Sequence, residues 1–314
     1  MNVYRKSTMT PLLSALLLTA AMSVAQTTTA PANPQGTNPP AGAQTANPEP
    51  PAPQPSVSNP KAKRPPSAKN KPEYDAYLAA VNAPDAATSE KLAREFEVQF
   101  PSSELMPLIF QQAMGKYQKA DNGDKTLDMG RKVLQYDPDS CVALVMNATV
   151  LAERTRESDI DRDPRLNEST TDAKRALENV RTGNYLLSPN ATPEQVQQFK
   201  DQVSGMAYTS LGTAELMRKN DSAAEQDFRK ATESPVGKGD AIVWYRLALA
   251  LDHQKKYSDA NAAITTAVAL APAGSQVATM ATSEQGRLKQ LQAGGPSSAP
   301  KSSNQPEPEV VPPK

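Results

Sequence analysis

Between Asp240 and Pro272 the apolar residues recur every three or four positions, the interval that lines up side chains on one face of a helix. Trp244, Leu247, Ala248 and Leu251 share a first face, and Ala260, Ile264 and Ala267 a second. The polar residues Gln254, Lys255 and Lys256 separate the two, and Pro272 closes the second. This pattern predicts two amphipathic helices joined by a tight turn. A lone helical pair cannot bury its own apolar face, so further copies are expected along the chain. One lies upstream: Tyr208, Leu211, Gly212, Ala224, Phe228 and Ala231 precede Trp244, Leu247, Ala248, Ala260, Ile264 and Ala267 by a constant 36 residues.

The same alternation extends toward the N-terminus. Phe110, Tyr117, Leu127 and Val133, ending in Tyr136, Asp137 and Pro138, form a third pair, with Asp121 to Asp124 as its turn. A helix over 139–154 follows, with Leu144 and Leu151 placed 34 residues after Phe110 and Tyr117. Its partner helix is expected to be displaced by the charged stretch 155–170, read as an insertion. Tyr74, Tyr77, Leu78 and Val81, then Leu92, Phe96 and Phe100 before Pro101, suggest a short first pair. The reading is about eleven helices and no strand, because alternation of period two is absent. Ser89, Asp124, Thr192 with Pro193, and Ser258 or Asp259 are the expected helix starts, and Pro101, Pro138, Pro189, Pro235 and Pro272 close units. The last helix, over 275–292, puts Val277, Ala281, Leu288 and Leu291 on one face and reads as a solubilising cap.

The marker order in 240–272 resembles the tetratricopeptide repeat, with Trp244, Leu247, Ala248, Leu251, Tyr257, Ala260, Ile264, Ala267 and Pro272 at the motif positions. Ala248 stands where that motif usually has glycine and Ile264 where it usually has an aromatic residue. The 36-residue offset is the motif's period of about 34 plus a small insertion, supplied by the turn-rich residues 234–239. The resemblance implies an all-α, right-handed superhelix of stacked helical hairpins, about five pairs plus a C-terminal capping helix, over residues 73–292. It also implies a role in binding, on an inner face built from the first helix of each pair. By register that face comprises Gln111, Gly115, Gln118, Val145, Thr149, Thr209, Thr213, Leu216, Tyr245, Leu249 and Asp252. The set is mixed and mostly uncharged. It suits an extended or helical protein segment with apolar anchors better than an acidic terminus.

Composition changes the picture at both ends. Arg5 and Lys6, the apolar run from Leu12 to Val24, and the small residues of Ser23-Val24-Ala25 read as a secretory signal peptide over residues 1–25, cut after Ala25. The run is shorter than the roughly 20 residues a bilayer span needs. The mature chain is therefore expected in a periplasm or beyond it, without a stable membrane span. Residues 26–72, rich in Pro, Ala, Thr, Asn and Gln, read as a disordered linker, and 293–314 as a disordered tail. Lys61, Lys63, Arg64, Lys69 and Lys71 cluster at the linker's far end; they read as a solvated basic segment or as a contact for cell wall or another anionic polymer. The whole chain, with 34 basic and 34 acidic residues, has no net pull toward nucleic acid.

Catalytic chemistry has little to work with. The single histidine, His253, ends a helix, where a cation complements the helix dipole. The single cysteine, Cys141, has no partner for an internal disulfide and reads as a packing residue. Asp159, Asp161, Asp163 and Glu168 resemble a calcium loop only in outline: Pro164 occupies the place of the required glycine, and the glutamate falls short of the bidentate position near Thr170. No phosphate loop, nucleophile elbow or metal-binding helix motif is present. The expectation is a non-enzymatic binding scaffold without cofactor or metal, concerned with envelope assembly or maintenance. The alternative is a wall-associated structural protein held by its basic Pro-rich arm.

Overall fold

The computed structural model describes residues 63–188 and 190–293. The expected signal peptide, the linker up to residue 62 with Lys61, Pro189, and the tail from residue 294 lie outside the described residues. Among those described, the chain forms twelve helices and no strand: α1 Lys71–Val81, α2 Ala86–Gln99, α3 Met106–Lys119, α4 Gly123–Tyr136, α5 Cys141–Arg154, α6 Arg162–Thr182, α7 Pro193–Met217, α8 Asp221–Glu233, α9 Pro235–Lys238, α10 Ala241–His253, α11 Tyr257–Leu270 and α12 Gln276–Gln292. The described residues fall into two compact units, one of residues 63–146 with 175–200, the other of 147–174 with 201–293.

In the first unit α2 packs on α1 and α3, and α4 on α3. Its interior holds Phe96, Met106, Ile109, Phe110, Met114, Met129 and Val133, all essentially inaccessible to solvent. In the second unit α10 packs on α8, α11 and α12. Its core joins Phe228, Val243, Leu247, Leu251 and Ile264 to the small residues Ala224, Ala231, Ala248, Ala260 and Ala267. α12 buries Ala281 and Leu288 and turns Thr279, Thr282, Ser283, Lys289 and Gln290 to solvent.

Three hairpins turn by one device. Asp121, Lys219 and Lys255, each between the two helices of a pair, have left-handed φ of 53°, 64° and 60°. The amide after each reaches back five residues: Asn122 to the Tyr117 carbonyl at 3.0 Å, Asn220 to Glu215 at 2.9 Å, and Lys256 to Leu251 at 2.9 Å. This closes the last helical carbonyls in the manner of a Schellman cap, usually built on glycine. A side chain in that backbone region costs roughly 1–2 kcal/mol, against about 0.5–1 kcal/mol for glycine's extra chain entropy. Lys255→Gly is therefore expected to raise stability by about 0.5–1 kcal/mol, seen as a higher denaturant midpoint at unchanged slope. A lower midpoint would show that the lysine side chain contributes more than its backbone strain removes.

Carboxylates on the second helix of a pair stitch it to the next pair. Glu90 on α2 accepts from Arg94 (2.8 Å), Lys125 (3.1 Å) and the Tyr117 hydroxyl (2.6 Å). Burial by itself would raise the Glu90 carboxyl, but these donors prevail and hold it at about 2. Burial and the Glu90 carboxylate push the Tyr117 hydroxyl up to about 12. Glu97 repeats the arrangement two turns on, with Lys132 at 2.8 Å and the Tyr136 hydroxyl. In the other unit Glu225 on α8 takes Arg229 at 2.9 Å, Gln254 at 2.9 Å and Lys256 at 2.7 Å.

Several boundaries differ from expectation. Ser89 lies inside α2, buried, with its hydroxyl on the Ala80 carbonyl at 3.0 Å; Asp85 caps that helix instead. Residues 234–239, expected as a loop, contain the one-turn helix α9. The stretch 155–170 is an insertion only as far as residue 161, because α6 begins at Arg162. α6 buries Leu166, Ser169, Ala173 and Ala176 at helical spacing, and the Ser169 hydroxyl meets the Ala148 carbonyl of α5 at 2.8 Å. It is the partner helix of α5, carrying a face that is small and partly polar.

Candidate partner-binding face

The expected groove residues are unequal in exposure. Gln111, Gln118 and Val145 belong to the first unit; Gln111 is half-buried, Gln118 is buried and Val145 is fully so. Gly115 is buried as well. In the second unit Thr149 and Thr213 are buried, whereas Thr209, Leu216, Tyr245, Leu249 and Asp252 are half-buried. Only the half-buried residues present surface to a partner in this conformation. Tyr245, Leu249 and Asp252 form one stripe of α10, and Thr209, Thr213 and Leu216 one stripe of α7, by their spacing of three and four. Leu216 and Tyr245 rest on the core of the unit.

Polar links draw these stripes together. Thr149 on α5 and Ser210 on α7 approach at 3.2 Å between hydroxyl oxygens. Arg246 on α10 donates to Thr213 at 3.1 Å and faces Glu153 of α5 at 3.8 Å. Further along, Arg287 on α12 pairs with Asp252 and with Glu284 at 2.6 Å. Arg246, Glu153, Arg287 and Glu284 were not anticipated from the sequence. The available signal was Arg246, the one cation inside the otherwise apolar run from Ala241 to Leu251. The result is a face with half-buried apolar side chains flanked by ion pairs already satisfied within the chain.

Asn147 is fully buried, and neither its amide nitrogen nor its carbonyl oxygen has a hydrogen-bond partner. By the repeat offsets it stands where α7 has Leu211 and α10 has Leu247, both core residues.

His253 is exposed and its Nδ1 lies 2.8 Å from Asp221. Cys141 is buried, and that burial pushes its thiol up to about 12. Asp159 accepts from the Arg156 amide at 2.8 Å, and Asp161 lies 3.8 Å from Arg165. Among the described residues there is no group of three or more His, Cys, Asp or Glu side chains arranged to hold a metal ion. No helix among them is long and apolar enough to cross a membrane. The chain matches no protein-family model and no curated protein.

Proposed function

We propose that this chain is a tetratricopeptide-like scaffold whose hairpins stack into a right-handed superhelix and bind a protein segment outside the cytoplasmic membrane. The observation that carries this reading is the repetition of one hairpin: the same left-handed turn at Asp121, Lys219 and Lys255, with the same five-residue backbone closure. The marker residues 36 apart add to it, since Leu211 and Leu247, Ala224 and Ala260, Phe228 and Ile264, and Ala231 and Ala267 are all buried. A stack of this kind presents its first helices on an inner face. There Leu216, Tyr245 and Leu249 supply apolar contact, and the paired charges around them fix register without attracting an acidic terminus. An extended or helical segment with two or three apolar anchors fits this chemistry.

A photo-crosslinking amino acid in place of Tyr245 or Leu249, in the full-length chain expressed in its own cell, is expected to yield one discrete adduct. The same probe at Thr282, on the solvent side of α12, should yield none. Equal labelling from all three sites, or none from any, would overturn the assignment of the face.

A further inference from the structure

The basic stretch expected to be free linker is docked. From Lys63 to Asn70 the chain runs without helix beside the turns of the first unit. Lys63 pairs with Asp137, after α4, at 2.5 Å, and Arg64 with Glu104, before α3, at 2.6 Å. The Ser67 amide donates to the same Glu104 carboxylate at 3.3 Å, and the Lys69 amide to Glu73 at 2.6 Å. The Lys69 ammonium donates to the carbonyl and hydroxyl of Ser102 at 2.8 and 3.0 Å. Pro65 and Pro66 hold the middle extended, which lowers the entropy lost on docking. One short segment thus ties the α2–α3 loop and the α4–α5 loop to the start of α1.

These are the very cations that a polymer would need. Residues 61–71 contain five lysines and arginines, and no acid occurs between Glu49 and Glu73. Asp137 and Glu104 are single carboxylates; the exposed Arg64–Glu104 pair is worth about 0–1 kcal/mol, and the half-buried Lys63–Asp137 pair still sets one carboxylate against one ammonium. A polymer with many negative charges engages several cations at once and releases its own counterions in doing so. We propose that residues 63–69 are an exchangeable clasp: their cations hold either the folded unit or an anionic polymer, so polymer binding undocks the segment. A polymer-bound chain would then carry its first unit on a longer tether, and an unbound chain would keep the segment folded away.

The test uses the full-length chain, inorganic polyphosphate as probe and constant ionic strength, so that simple screening is excluded. Hydrogen exchange at the Ser67 and Lys69 amides reads the docked state, and polyphosphate affinity is measured in parallel. Saturating polyphosphate is expected to speed exchange at both amides by about tenfold or more while core amides of α3 stay unchanged. Reciprocally, Asp137→Asn with Glu104→Gln should bind polyphosphate more tightly than a control with the same charge change, Glu157→Gln with Asp159→Asn. No polyphosphate binding would remove the polymer partner. Binding that leaves both amides protected, or a double variant no tighter than the control, would remove the exclusivity; each result overturns the proposal.

Discussion

Phe228→Ala is expected to lower the unfolding free energy by about 3–5 kcal/mol, the range for removing a fully buried aromatic ring. Phe228 is wholly inaccessible and sits among Ala224, Ala231, Leu247 and Leu251 in one continuous core, so few neighbours are free to collapse into the void. The ring also explains Gly212. A Cβ placed there would lie 2.8 Å from two ring carbons of Phe228, closer than packed atoms tolerate. Gly212→Ala should therefore cost about 1–3 kcal/mol by overpacking. One hairpin later the equivalent residues are Ala248 and Ile264: where the large residue is aliphatic, the small one carries a methyl. In the two hairpins the size of the small residue thus runs opposite to that of the large one. In a double-mutant cycle, Gly212→Ala should cost less with Phe228→Ile than alone, with a coupling of about 1 kcal/mol or more. Strict additivity in chemical denaturation would refute the pairing.

Glu90→Gln is expected to destabilise the chain by about 1–3 kcal/mol at neutral pH, the scale of losing charged hydrogen bonds at a mostly buried carboxylate. Its pH dependence is specific. The Glu90 carboxyl titrates at about 2 in the folded chain against an ordinary 4.5, so its contribution is complete above about 4.5. It is lost progressively as pH falls toward 2. Glu97 and Glu225 are held below their ordinary range as well: burial opposes this, and the lysine and other donors around each outweigh it. Stability measured from pH 7 to 2 should fall across the acid limb, and the fall should be shallower in Glu90→Gln. An unchanged acid limb would show that Glu90 is not coupled to folding.

How far the chain could be read in advance depended on where the apolar signal was concentrated. The hairpin of α10 and α11 was legible because its large residues mark both faces and its turn is wholly polar. The start of α6 was misplaced for the opposite reason: Leu166 is the only large apolar residue among its buried positions, and the buried Ser169 makes a hydrogen bond that no hydropathy pattern reveals. The docked segment 63–70 was hidden by its own composition, since prolines and lysines resemble free linker until Asp137 and Glu104 are brought near. For the binding face, helical register gave direction but not depth. It placed Tyr245 and Leu249 beside Thr213 and Thr149, without showing that the threonines are covered by the ion pair and hydroxyl contacts around them.

Asn147 leaves a different mark on the molecule. A buried side-chain amide with neither end paired costs on the order of 1–3 kcal/mol, and this one occupies a place that leucine fills in two sister helices. Natural domains have only about 5–15 kcal/mol in hand. On that scale a single unpartnered amide on α5 is a sizeable cost, one that a water molecule reaching both of its ends would remove.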